Sequence, residues 1–116
     1  FLNLEKSKNT AVSTLKSMES KKLDLLFQIK SAWKKIESTK SSIDSLKLSV
    51  ESNLMAVEGV TQEAGVGTRT TFEILDAQQK LTQSESSLVN AQYQLIISSF
   101  ELLKLCGLLN FRYLGF

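Results

Sequence analysis

Residues 63–79 read EAGVGTRTTFEILDAQQ, and they interrupt a sequence that otherwise reads as helix. Two of the chain's five glycines lie in this stretch, and the sequence contains no proline. A chain of 116 residues with no proline and few turn residues is typical of long uninterrupted helices. The sequence therefore predicts one bend, which falls at these residues.

Stop and start signals follow one another in this stretch. Gly65 is predicted to be the left-handed residue that closes the first helix, and Gly67 permits a second backbone conformation that other residues avoid. Thr70 and Glu73 form a predicted capping box at the start of the next helix. Glu73 and Asp76 lie in its first two turns, where the helix dipole favours anions. These signals predict an antiparallel turn.

Three residues of the stretch are left without a capping task. Val66, Thr68 and Arg69 are expected to do no capping work that smaller polar residues could not do. Arg69 is then either a solvated cation of the turn or a residue with another role.

Before the bend, apolar residues recur at every seventh position. The column consists of Ile29, Ile36, Ile43, Val50 and Val57, with Leu15 further upstream. The column fails at Lys22. Apolar residues three before column positions are Leu26, Trp33 and Leu54, and three after them, with position 22 included, are Leu25, Ala32, Leu46 and Val60. This stripe is wider than a two-stranded seam, so the helix predicted over about 5–64 is expected to contact more than one neighbour.

After the bend, a second repeat of seven follows. Its column is Ile74, Leu81, Leu88, Leu95, Leu102 and Leu109, and the column three later is Ala77, Ser84, Ala91, Ser98 and Leu105. Small residues let a partner backbone approach closely. A second helix is predicted over about 70–108, after which the aromatic segment 109–116 is either a short strand or a packing segment.

The predicted fold is therefore all-α: a long antiparallel coiled-coil hairpin with a turn at 65–69. The second helix is shorter, so about twenty residues at the start of the first helix are left without a partner. The hairpin alone would expose a large apolar area, which soluble monomers avoid. Other copies of the chain, or sequence outside it, are expected to cover that surface.

Several function classes are excluded by composition. A net charge of +2 is too small for a nucleic-acid-binding face. With no His and one Cys, the chain offers no Cys–His or Ser–His pair, no zinc cluster and no internal disulfide. Cys106 lies in an apolar run and is interpreted as a buried inert thiol. Glu73 and Asp76 have no cleft for acid–base catalysis, so no enzyme, metal or cofactor is expected.

Two further expectations concern the membrane and the chain start. No run of about 18 apolar residues is found, so no segment is expected to span a bilayer. The chain begins FLNLEKSKNT, without Met or a signal peptide, which indicates a piece of a longer protein.

Residues 65–81, GVGTRTTFEILDAQQKL, resemble the periplasmic-tip segment of the TolC family of outer-membrane efflux channels. The specific part is Val66 to Thr70 followed by Ile74 to Ala77. Residues 87–110, SLVNAQYQLIISSFELLKLCGLLN, look like the family's helix after the tip, and the helix with Trp33 fits the one before it more loosely.

The resemblance implies a homotrimer in which an outer-membrane β-barrel continues into a periplasmic α-barrel. This chain would be a tunnel hairpin of the α-barrel, with the β-barrel strands absent from it. The tip would bind a periplasmic adaptor (membrane fusion) protein, and through it an inner-membrane transporter, for multidrug efflux or type I protein secretion.

The resemblance also assigns residue roles. Val66, Gly67, Thr68 and Arg69 would form the adaptor-binding tip, and Arg69 matches a position that links neighbouring helices when the tunnel is closed. Glu73 and Asp76 would form acidic rings at the mouth, as an alternative to capping alone.

This sequence departs from the family pattern at two positions. Ala64 stands where some members have a linking Tyr, which puts that link in doubt, and Glu73 stands where Asp is common. The other interpretation kept open is a stand-alone coiled-coil interaction module, such as an adaptor hairpin or a scaffold. An adaptor hairpin should have nearly equal arms.

Overall fold

A computed structural model describes residues 2–114 of the chain. Helix α1 spans Leu2–Gly65, helix α2 spans Thr71–Leu109, and a π-helix follows at Asn110–Leu114. No strand occurs among these residues. The predicted all-α helical hairpin is therefore confirmed.

The ends of the helices differ from the sequence prediction by up to three residues. α1 begins at Leu2 rather than near residue 5, and the turn occupies residues 66–70 rather than 65–69. The strand alternative for the aromatic segment is wrong at 110–114, where the helix continues with the wider π hydrogen-bond pattern. Residues 115–116 lie outside the described residues.

The chain divides into two compact units. One contains residues 36–98 and is called here the turn unit. The other, the terminal unit, contains residues up to 35 and from 99 onward. Each unit pairs a stretch of α1 with a stretch of α2.

The core of the turn unit consists of the residues that the two repeats predict. The buried residues are Ile36 and Ile43 on α1, and Ala77, Ser84 and Ser98 on α2. Val50, Val57, Ile74, Leu81 and Leu88 are half-buried beside them. Because this unit holds only two helix segments and their turn, each segment buries the apolar column of the other.

The buried residues of α2 are all small: Ala77, Ser84 and Ser98. Ser98 is 1% exposed, and Ser84 is also buried, whereas the leucines of the neighbouring column are half-buried. The Ser84 hydroxyl donates to the Leu81 carbonyl at 2.8 Å. The Ser98 Oγ has no hydrogen-bond partner within residues 2–114. Ser98 is thus selected by its size rather than by a hydrogen bond.

One flank of the wide stripe on α1 is exposed to solvent. Leu54 in the turn unit, and Leu26 and Trp33 in the terminal unit, are exposed although they adjoin the buried column. Residues 2–24 are exposed throughout, as expected for a helix start without a partner.

One part of the chain is apolar enough to cross a membrane by length and composition. An 18-residue window within Thr71–Tyr113 reaches a mean hydropathy of 1.3. This window qualifies by its mean hydropathy and not as an uninterrupted apolar run, so the expectation that no segment spans a bilayer stays a prediction. Length and composition alone do not place the helix in a membrane.

Candidate functional site

The first helix closes with a Schellman motif centred on Gly67. The Gly67 N–H donates to the Ala64 carbonyl at 3.1 Å, and the Thr68 N–H donates to the Glu63 carbonyl at 2.9 Å. Gly67 has φ 84°, and it is the one residue with positive φ among those described. These are the two bonds and the left-handed residue that define the motif.

The prediction that Gly65 is the left-handed residue is therefore wrong. α1 runs through Gly65 in helical conformation, and the chain reverses two residues later. The two glycines are equivalent as sequence signals, and the pair of backbone bonds decides between them.

Thr68 contributes to the same cap through its side chain. Its hydroxyl donates to the Glu63 carbonyl at 2.8 Å, so this carbonyl accepts both the amide and the hydroxyl of Thr68. One of the carbonyls left open at the end of α1 is thereby satisfied twice.

The predicted capping box at the start of α2 is confirmed. The Thr70 N–H donates to Glu73 Oε2 at 2.8 Å, and the Glu73 N–H donates to Thr70 Oγ1 at 3.3 Å. The first backbone bond of the helix runs from the Ile74 N–H to the Thr70 carbonyl at 3.3 Å. The box fixes where α2 begins.

Arg69 connects the two helix ends. Its Nε donates to Glu63 Oε2 at 2.6 Å, and its Nη1 donates to Glu73 Oε1 at 3.3 Å. Glu63 lies in the last turn of α1, and Glu73 in the first turn of α2. Arg69 is therefore not simply a solvated cation of the turn, because its long side chain with several donors reaches both carboxylates.

These contacts shift two pKa values in the turn. The hydrogen bond to Glu63 and the charge of that carboxylate raise the pKa of Arg69, with Glu73 adding to both effects. The Thr70 amide, followed by Arg69, lowers the pKa of Glu73 below its usual 4.5. Both shifts favour the ionised forms, which make the contacts.

The lowered pKa of Glu73 predicts an acid-sensitive turn. A carboxylate whose pKa is lower in the folded state stabilises the fold above its unfolded pKa, and this contribution is lost as the pH falls through the folded pKa. Protection of the Thr70 amide against hydrogen exchange, measured by NMR, is expected to decline as the pH falls below about 4.5. Glu73→Gln removes the titrating group, so its Thr70 protection should vary less over that range. An identical acid dependence in both proteins would contradict this.

The predicted tip residues lie together in the turn. Val66 is 78% exposed, and a Cβ built on Gly67 would meet nothing within 4 Å, so both backbone and side chain are open to a partner. Arg69 and Glu73 form one network, whereas Asp76 pairs with Lys80 at 3.2 Å on the surface of α2. The roles of these residues in docking, gate links and acidic rings stay predictions.

Sequence reasoning missed Glu63. Its role in the cap could have been inferred from the position of Gly67. In a Schellman motif, the residue four before the left-handed Gly supplies the carbonyl that accepts the longer backbone bond. Placing the reversal at Gly65 instead of Gly67 hid that relation.

No metal site is visible at the turn or elsewhere in the described chain. Residues 2–114 contain no group of three or more His, Cys, Asp or Glu side chains that could hold a metal ion. The chemistry available at the turn is therefore hydrogen bonding, ion pairing and apolar contact through Val66.

Comparison with known proteins adds a family. A family model described as outer membrane efflux protein matches residues 2–108. The chain is 32% identical over 87 residues to "Outer membrane efflux protein BepC" of Brucella suis biovar 1 (strain 1330). This alignment covers 75% of the chain but 19% of the length of BepC. No solved structure matches the chain.

Proposed function

Since this chain belongs to the outer membrane efflux protein family, we propose that it is a periplasmic tunnel hairpin of an outer-membrane exit duct. Three copies of the complete protein enclose the tunnel. Transporter energy opens the tip, and substrate then moves passively along the lumen in multidrug efflux or type I protein secretion. The protein resides in the cell outer membrane with this hairpin in the periplasm.

The observation that carries the proposal is the form of the turn. It presents an exposed Val66 beside the open backbone of Gly67, held by caps on both helices. A preformed loop of this kind loses little conformational freedom when a partner binds. We assign Val66, Gly67, Thr68 and Arg69 to the adaptor-binding tip.

Uncovered apolar surface supports the assembly into a tunnel wall. In the turn unit, Val89, Tyr93 and Ile96 are exposed and follow one another at spacings of four and three on α2. This spacing forms a second stripe next to the buried one, as a helix with neighbours on two sides requires. Glu73 and Asp76 of three copies would add acidic rings at the mouth, which attract cations.

Within residues 2–114, α1 has 64 residues and α2 has 39. The alternative of a stand-alone adaptor hairpin predicts nearly equal arms in the complete protein, whereas a tunnel hairpin that descends and climbs back part of the way predicts unequal ones.

Thiol crosslinking tests the docking proposal. In a Cys106→Ala background, Val66→Cys in the complete protein is expected to crosslink to a purified periplasmic adaptor protein, with the bond placed on the adaptor's helical hairpin by mass spectrometry. The adaptor is supplied with single cysteines at its hairpin.

Leu48→Cys is the matched control. Leu48 is also exposed, but it lies 17 residues before Gly65 on α1, or about 26 Å along the helix. Crosslinking at Val66 and not at Leu48 would support tip docking. Equal yields at both positions, or none at Val66, would refute it.

A further inference from the structure

Arg69 is the side chain that joins the two halves of the turn. On one side, Gly67 and Thr68 bond back to Ala64 and Glu63 at the end of α1. On the other, Thr70 bonds forward to Glu73 at the start of α2. Within residues 2–114, the backbone bonds of the turn reach one helix or the other, and none spans both.

The contacts of Arg69 make this network continuous. Glu63 accepts Thr68 through its carbonyl and Arg69 through its carboxylate. Glu73 accepts Arg69 on one carboxylate oxygen and the Thr70 amide on the other. The Arg69 guanidinium therefore bonds to the side chains of Glu63 and Glu73, and each of these residues also forms part of a helix cap.

We propose that Arg69 is a positioning residue of the tip, which fixes the Val66–Thr68 backbone by bridging Glu63 and Glu73 within its own chain. The bridge itself does not depend on the proposed docking function. Only its effect on adaptor binding rests on that function. Without the bridge, each cap keeps its own hydrogen bonds but opens more often, because the other helix end no longer holds it. The Val66–Thr68 backbone then samples more conformations. Adaptor binding weakens because more conformational freedom must be lost on binding.

The bridge is compatible with a separate link to a neighbouring chain. A guanidinium carries five N–H donors, and the contacts to Glu63 and Glu73 come from Nε and Nη1. The other donors can reach a carboxylate or carbonyl of a neighbour. Positioning within the chain and linking between chains would therefore use different N–H groups of the same side chain.

A double-mutant cycle on this chain tests the inference without any partner. The variants are Arg69→Gln, Glu63→Gln and the two combined, and the readout is exchange of the Gly67 amide in protein labelled with 15N-glycine. Gly59, six residues before the end of α1, serves as an internal reference. Each single substitution is expected to speed Gly67 exchange about two- to fivefold, the range for exposed ion pairs, with no change at Gly59. The double variant should be no faster than Arg69→Gln alone, because that substitution already removes the contact to Glu63.

Lys80→Gln is the matched control. Lys80 is also an exposed cation paired with a carboxylate, but its partner Asp76 lies on the same helix. This pair therefore does not connect the ends of α1 and α2. Gly67 exchange should be unchanged in this variant. An unchanged rate in Arg69→Gln, or additive effects of Arg69→Gln and Glu63→Gln, would overturn the inference.

The same variants separate positioning from simple charge attraction. With Val66→Cys and a purified adaptor, Arg69→Gln and Glu63→Gln are both expected to lower the crosslinking rate, although they change net charge in opposite directions. If only the variants that remove positive charge lowered the rate, long-range attraction would explain the effect and the positioning role would fail. Absence of any crosslinking in the Val66→Cys protein with Arg69 and Glu63 intact would instead refute docking, while the exchange cycle would still decide the role of Arg69.

Discussion

Ile43→Ala is expected to lower the free energy of unfolding of the chain by about 2–5 kcal/mol, the usual range for a buried aliphatic residue cut back to Ala. Ile43 is 6% exposed and belongs to the central column of α1 in the turn unit. Few residues of this unit are buried, so each carries a large share of the core. Urea unfolding followed by circular dichroism measures the change, at one protein concentration, because association adds to apparent stability.

Leu48→Ala provides the control on the same helix. Leu48 is 65% exposed, and the substitution also gives Ala in place of a branched aliphatic side chain. Its effect is expected to stay within about 0.5 kcal/mol. Equal losses at Ile43 and Leu48 would mean that the buried column does not hold the two helices together.

The burial pattern could be predicted from the sequence because it follows from helix geometry. A repeat of seven brings every such residue to one side of a helix, so the column of Ile36 and Ile43 had to face the partner. The same reasoning placed Ala77, Ser84 and Ser98 at the closest contact, and all three are buried. Capping by Thr70 and Glu73 was equally local, since it depends on residues three apart.

The features that the sequence did not predict depend on small differences between alternative local backbone conformations. Gly65 and Gly67 can both adopt positive φ, and only the register of the last helical turn selects one. The bridge from Arg69 to Glu63 crosses that reversal, so it could not be inferred while the reversal was placed two residues early. The π-helix at Asn110–Leu114 has no distinct residue pattern, because its hydrogen bonds differ from those of an α-helix by one residue.

The uncovered surface shows the limit of a single chain. Leu54 and Val89 lie beside the buried columns yet remain exposed. A repeat predicts that such residues will be covered, but it does not identify the covering surface. Under the proposed function this surface is the contact between tunnel helices, and the isolated chain is then expected to self-associate.

Gly67→Ala and Gly65→Ala are expected to change stability in opposite directions, although they are chemically the same substitution two residues apart. At Gly67, with φ 84°, a Cβ costs about 1–2 kcal/mol because the left-handed conformation brings it against the carbonyl. At Gly65, which is helical, Ala is expected to add about 0.5–1 kcal/mol because it loses less backbone entropy than Gly. The free energy of unfolding from urea titrations, compared with the unsubstituted chain, measures both.

The pair is a sharp test because packing does not enter it. A Cβ built at either glycine meets nothing within 4 Å, so the difference between the two variants reports backbone conformation alone. Loss of stability at Gly65 with none at Gly67 would place the reversal where the sequence first suggested and would contradict the Schellman motif. The two variants also test the fold and the proposed function separately, since Gly67→Ala strains the loop that we propose docks to the adaptor whereas Gly65→Ala leaves it intact. Gly65→Ala should therefore keep the crosslinking at Val66→Cys, and Gly67→Ala should reduce it.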